Sequence, residues 1–159
     1  MLQTGQKAPN FKLYDQEKKE VSLDDFKGKP LVIFFLPMAW TGVCTKEMCN
    51  VQDDYKSYAG LGANVIGISV DSHLALKRFT EDNKIQYPLL SDFNKTTIND
   101  YGIVQAEFSG NYRNVAKRSV FVLDKDGIVR YTQVTPTPGD MPDMEPVKAA
   151  VNALSKQTA

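Results

Sequence analysis

Two cysteines and one histidine are all the thiols and imidazoles the chain has. Cys44 follows Pro37-Met38-Ala39-Trp40-Thr41-Gly42-Val43, and Cys49 lies five residues further on. Leu31 to Leu36 is a continuous apolar run, the pattern of a strand covered on both faces. Pro37 ends that run and Thr41-Gly42 reads as a helix entry. Cys44 therefore falls in the first turn of a helix, among unpaired N–H groups and at the positive end of the helix dipole. Both favour thiolate, the reactive form of cysteine. A dithiol exchange site would want Cys-x-x-Cys, whereas four residues separate this pair. Two thiols and one distant histidine make a weak ligand set for structural zinc.

The elements that must position Cys44 read as an alternation of strands and helices. Phe11–Tyr14 and Glu20–Leu23 predict a hairpin around the polar turn 15–19. The strand at 31–36 leads into a helix over 43–59, with Met48, Val51, Tyr55 and Tyr58 at helical spacing and Gly60-Leu61-Gly62 closing it. A second apolar strand spans 64–70, followed by a helix over 72–83 with Ser72 as N-cap. Tyr87–Leu90 is a short strand whose Pro88 puts it at an edge or a strand start. A short helix follows at 95–101. Strands 118–123 and 128–134 flank Asp124-Lys125-Asp126-Gly127, a strong hairpin signal. The last helix, 143–156, packs Val147, Ala150, Val151 and Leu154 on one face, its start blurred by Pro142 and Pro146.

The pattern Pro37-x-x-x-Thr41-x-x-Cys44 resembles the active-site signature of the peroxiredoxins, the thiol-dependent peroxidases. Cys49 five residues on is similar to the bacterioferritin-comigratory (PrxQ-like) branch. The wording Thr41-Gly42-Val43-Cys44 also resembles the one-cysteine, alkyl hydroperoxide reductase E-like branch. Gly5 to Phe11, Asp25 to Lys29, Gly67-Ile68-Ser69-Val70-Asp71 and Tyr87 to Asp92 resemble further family segments in the same order. Trp40 stands where relatives commonly carry Phe, and Leu36 where Tyr is frequent. The resemblance implies a single thioredoxin-like α/β domain over residues 1–159, with a central mixed sheet, flanking helices and an N-terminal hairpin. The order of elements is compatible with it.

In such a peroxidase Cys44 attacks one peroxide oxygen and the other leaves. The Thr41 hydroxyl can accept and donate, so it could hold the peroxide or simply cap the helix. The N–H groups of Val43 and Cys44 are natural donors to developing charge. Family resemblance implies that Pro37 shields the sulfur, that Arg118 is the active-site cation, and that Glu47 orients Arg118. Local sequence alone allows a strand terminator, a surface ion pair and a first-turn acid. Cys49 is either a resolving thiol or a buried Cys. Along an intact helix five residues rise about 7.5 Å, more than the Cα separation a disulfide spans, so a disulfide requires the helix to unwind.

The expected substrate is peroxide and the expected reductant a thioredoxin-like protein, with no metal or cofactor required. Lys+Arg and Asp+Glu balance at 19 each, which offers no field for nucleic acid or an anionic membrane. No apolar run approaches a membrane span, and no hydrophobic signal region opens the chain. Free thiols without a secretory context make the cytoplasm the expected compartment. Monomer and homodimer both stay open. Met38 and Trp40 could line a pocket, form a dimer contact or sit in the core, and His73 has no assigned role.

Overall fold

A computed structural model describes residues 1–158. Its main sheet has seven strands in the order β2-β1-β5-β4-β3-β8-β9. In chain order these are β1 (Lys12–Tyr14), β2 (Glu20–Ser22), β3 (Leu31–Phe35), β4 (Asn64–Ser69), β5 (Leu89–Ser91), β8 (Ser119–Leu123) and β9 (Val129–Val134). β6 (Val104–Phe108) and β7 (Tyr112–Ala116) form a separate two-stranded hairpin. β3, β4 and β5 are parallel, while β8 lies antiparallel to β3 and β1 antiparallel to β5. The sheet is therefore mixed, and the N-terminal hairpin extends it on one side.

The apolar run at β3 is continuous because the strand is buried on both faces. Ile33 and Phe35 join one core with Ile66, Ile68 and Phe121; Val32 and Phe34 join the other with Val65, Val120 and Val122. Helices cover the second face. Met48 and Val51 come from α1 (Gly42–Asp53), Leu76 and Phe79 from α3 (His73–Asn83), and Val147 and Val151 from α5 (Met144–Thr158). On the first face Ile98 of α4 (Thr96–Asp100) and Tyr101 just after it close the layer. A Cβ at Gly67 of β4 would sit 2.6 Å from Leu89 Cδ2 and 3.4 Å from Met48 Sδ. Its absence lets α1 lie close over the sheet.

Several elements depart from the sequence reading. The helix expected over 43–59 is two helices, α1 and α2 (Tyr55–Gly60), joined at Asp54. Asp54 N–H is shared between the carbonyls of Asn50 and Gln52, a tightening that ends α1. Aspartate is a weak former of helix interior, and Asp54 instead pairs with Lys148 of α5 at 3.0 Å. Pro88 does sit at a strand start, one of the two places the sequence allowed, just before the internal strand β5, so its missing N–H costs no ladder bond. α5 begins at Met144 and carries Pro146 in its first turn, where proline is tolerated. Residues 103–117, to which no element was assigned, form the β6–β7 hairpin. Its alternation is weak because both strands are largely solvated. Its turn is marked only by Ser109 and Gly110 at φ 53° and 76°.

Candidate active site

Pro37, Thr41, Cys44 and Glu47 all lie on or beside the β3–α1 junction, because β3 delivers the chain to the edge of the sheet layer where α1 begins. Thr41 occupies the N-cap position with extended backbone, φ −76° and ψ 153°. Its hydroxyl does not cap the helix; it donates to the Met38 carbonyl at 3.0 Å. The first bond of α1 runs from Thr45 N–H to the Thr41 carbonyl at 2.9 Å. The N–H groups of Gly42, Val43 and Cys44 precede that bond, as the opening donors of any helix must.

Arg118 stands immediately before β8, which pairs antiparallel with β3 in the register Phe35 to Ser119. That register brings the arginine over the start of α1. The side chain is 1% exposed and makes three bonds. Nη2 donates to Cys44 Sγ at 3.1 Å, Nη1 to Glu47 Oε2 at 2.5 Å, and Nε to the Pro138 carbonyl at 3.0 Å. Burying a guanidinium is costly unless it is paired and hydrogen-bonded. Here each face of the fork has a partner, and the fork geometry fixes the cation against the sulfur. Burial alone would lower the Arg118 pKa, but Glu47 and Cys44 beside it hold it raised. Burial pushes the Glu47 carboxyl up, to about 7, against the opposing pull of Arg118. Glu47 Oε1 has no hydrogen-bond partner among the described residues, in keeping with the direction of that push.

Pro37 is buried at the end of β3, and Cys44 is fully buried. A mouth of about 490 Å³ lined by Thr41, Val43, Gln105, Phe108, Arg118 and Pro138, among others, opens at the first turn of α1, and Arg118 links its lining to the buried Cys44 sulfur. Gln105 and Phe108 belong to the β6–β7 hairpin and Pro138 to the loop after β9; the sequence reading placed none of these at the site. Only a turn signal at Ser109-Gly110 and the prolines at 136 and 138 hinted at them, since a backbone carbonyl leaves no mark in a sequence. A second cleft of about 470 Å³ at the opposite end of β3, lined by residues such as Lys7, Leu23 and Lys125, holds neither Thr41 nor Arg118.

Cys49 lies further along α1 and is half-buried, its thiol donating to Asn83 Oδ1 at 3.7 Å. Burial and the nearby Asp53 carboxylate raise its pKa. Both cysteines are free thiols, and both sit within one unbroken helix. Met38 packs against the core, whereas Trp40 is 49% exposed and meets the buried Phe79 ring edge-on at 5.4 Å. His73 contacts only the Tyr14 ring among the aromatic pairs, 5.9 Å away. Among the described residues, no group of three or more His, Cys, Asp and Glu could hold a metal ion, and no helix is long and apolar enough to cross a membrane.

Comparison with known proteins adds a consistent picture. A model of the AhpC/TSA family matches residues 4–132. Peroxiredoxin Q, chloroplastic, from Oryza sativa subsp. japonica is 41% identical over 127 residues, which is 80% of this chain. The chain spans 57% of that relative's length. Peroxidoxin BcpB from Mycobacterium tuberculosis superposes with a TM-score of 0.85 at 31% identity, covering 97% of this chain and 99% of its own. A peroxiredoxin-like protein from Aquifex aeolicus gives 0.86 at 30% identity, covering 96% and 88%. The thioredoxin-like fold expected from the sequence is the fold of these neighbours.

Proposed function

This chain belongs to the AhpC/TSA family, and from that premise, together with the contact between Arg118 and Cys44, we propose that the protein is a thiol-dependent peroxidase acting on hydrogen peroxide and organic hydroperoxides. The single observation that carries this reading is that Arg118, which lines the open mouth, bonds through Nη2 to Cys44 Sγ and through Nη1 to Glu47 Oε2. A charge-assisted donor aimed at sulfur interacts more strongly with the thiolate than with a neutral thiol.

In the first step the Cys44 thiolate attacks the nearer peroxide oxygen in line with the O–O bond. A sulfur–oxygen bond forms and the O–O bond breaks. The departing oxygen leaves as hydroxide or alkoxide and takes a proton, giving a sulfenic acid and water or alcohol. Because the Thr41 hydroxyl spends its proton on the Met38 carbonyl, its lone pairs are left to accept the peroxide proton. This orients the substrate with its leaving oxygen toward the donors. The N–H groups of Val43 and Cys44 and the Arg118 fork face the charge that develops on the leaving oxygen. Glu47 fixes the fork. Pro37, with no N–H of its own, keeps the sulfur's surroundings dry.

In the second step the Cys49 thiol condenses with the sulfenic acid, releasing water and forming the Cys44–Cys49 disulfide. A thioredoxin-like dithiol then reduces that disulfide and is itself oxidised. No metal, haem or flavin takes part, since sulfur carries both electrons. A disulfide reopened in every turnover suits a reducing compartment, and the cytoplasm is the one proposed. A second reading has support in the bond from Cys49 to Asn83: Cys49 stays in place and an external thiol resolves the sulfenic acid.

Intact-mass spectrometry after one equivalent of hydrogen peroxide, with peptide mapping, tests both. The expected result is a loss of two hydrogens and a Cys44–Cys49 link. A stable gain of oxygen on Cys44 with Cys49 free supports the one-cysteine reading. No change after several equivalents removes the peroxidase.

A further inference from the structure

The segment Gly67-Ile68-Ser69-Val70-Asp71 matched the family in sequence, yet none of the steps above uses it. Its last residue reaches into the loop that carries Thr41. Asp71 Oδ2 accepts the Ala39 N–H at 2.7 Å and the Ser69 hydroxyl at 2.7 Å. Its own N–H donates to Ser69 Oγ at 3.2 Å, and its carbonyl accepts the Ser91 hydroxyl at 2.6 Å. Ser69 ends β4 and Ser91 ends β5. The carboxylate is thus built onto two adjacent strand ends and projects rigidly to the chain leaving a third, β3.

What it holds is an unusual piece of backbone. Trp40 has φ +73°, a left-handed conformation that bulky L-residues rarely adopt. Such a residue keeps that conformation only where its surroundings over-determine it. Here the bond to Ala39 fixes the residue before Trp40, the Thr41–Met38 bond closes the turn around it, and Phe79 supports its ring. The turn sets where the Thr41 hydroxyl lies and where α1 begins, hence where the N–H groups of Val43 and Cys44 point. Burial raises the Asp71 pKa, while the Ala39 and Ser69 bonds act the other way.

We propose that Asp71 is a positioning residue for the peroxide reaction, holding Ala39 so that the strained turn at Trp40 presents Thr41 and the first N–H groups of α1 in register with the Cys44 sulfur. This rests on the peroxidase reading above. It does not touch the substrate; it acts through the loop.

The test separates geometry from thiol reactivity. Single-turnover oxidation of Cys44 by hydrogen peroxide is measured beside its alkylation by iodoacetamide, at one pH, in the wild type, Asp71→Ala and Asp71→Asn. Alkylation needs an accessible thiolate and no aligned donors; peroxide cleavage needs both. A misplacement of about 1 Å can cost roughly 100-fold in rate. D71A is expected to lose about 10- to 100-fold in the peroxide rate with alkylation within about twofold of wild type. D71N, which keeps a neutral and weaker acceptor for the Ala39 N–H, is expected to lose only a few-fold. If D71A does not fold, the peroxide-specific loss in D71N still carries the test. The proposal is overturned if both variants keep the wild-type ratio of peroxide to alkylation rates, or if the two rates fall together. If wild-type Cys44 reacts with peroxide no faster than with iodoacetamide, the peroxidase reading is what fails.

Discussion

Cys44 and Cys49 share one helix and live in opposite surroundings. Cys44 is fully buried at the start of α1, with a guanidinium donating to its sulfur from 3.1 Å. Cys49 is half-buried about one and a half turns on, with a neutral amide for a partner and the Asp53 carboxylate acting on it. There burial and the acid push the thiol up, so Cys49 is kept as a thiol. Sulfur chemistry on this chain is therefore decided by position in the helix and by which strand end faces it, not by the cysteine itself. A cation from just before β8 meets the first turn of α1, whereas the Cys49 sulfur meets the Asn83 amide.

Exchanging each sulfur for oxygen should break the comparison outright. Cys44→Ser is expected to abolish peroxide consumption. Cys49→Ser is expected to keep the first peroxide turnover and lose recycling by a thioredoxin-like dithiol, measured as steady-state peroxide loss. Full recycling in that variant would give Cys49 a structural role only. Next in size, Arg118→Met removes the donor on which the asymmetry depends. Losing one such preorganised donor typically costs about 100- to 1000-fold in rate, read here as the second-order rate of Cys44 oxidation. The same change leaves a buried Glu47 unpaired, and breaking a buried pair costs about 3–5 kcal/mol in stability by denaturant titration.

Glu47 sharpens the contrast more gently, through pH. Its folded-state pKa is raised from 4.5 to about 7 by burial. The native protein then holds a proton that the unfolded chain has already released. The associated stability is complete below about 4.5 and is lost as pH rises through about 7. Glu47→Gln is neutral throughout and lacks this slope. Across that window the wild type should lose up to about 3 kcal/mol relative to the variant, measured by urea unfolding at each pH. A flat difference would mean that the pairing with Arg118 outweighs burial and keeps the carboxylate ionised in the fold.

Much of this was legible in the chain, for physical reasons. β3 and β4 announce themselves because burial on both faces demands unbroken apolar runs, and the β8–β9 hairpin because its Asp-Lys-Asp-Gly turn has few other uses. Pro37, Thr41, Cys44 and Glu47 are close in sequence, so one helix start brings them together. Arg118 is 74 residues from Cys44 and meets it only through the antiparallel register of β3 with β8. The resemblance named it; no local pattern could have. The β6–β7 hairpin was missed because solvated strands show little alternation. The Pro138 carbonyl and the Asp71 carboxylate were missed because one carries no side-chain signal and the other works on backbone across two strands. The break at Asp54 was overridden by an apolar spacing that runs on through Tyr55 and Tyr58.

That break gives the subtlest prediction, since it makes α1 a short unit with its own fastenings. Besides Cys49 to Asn83, Gln52 Oε1 accepts the Gln86 N–H at 2.7 Å, and Gln52 Nε2 donates to Gln86 Oε1 at 3.1 Å. Tyr87 donates to the Met48 carbonyl at 2.8 Å. These bonds tie the Cys49 half of α1 to the end of α3 and the segment that follows it, while the Cys44 half is held by Arg118. Forming the disulfide must undo the first set. Each such bond contributes about 0.5–1.5 kcal/mol net. Gln86→Ala removes the side-chain half of the glutamine pair and keeps the backbone N–H bond. It should therefore speed disulfide closure by a factor between about two and ten, followed by quenched peptide mapping after a pulse of peroxide. The rate of the first Cys44 oxidation should not change, because the Arg118 end of the helix is untouched. Slower closure in Q86A would mean that the clamp guides Cys49 toward Cys44 rather than restraining it, and the two halves of α1 would then act as one body.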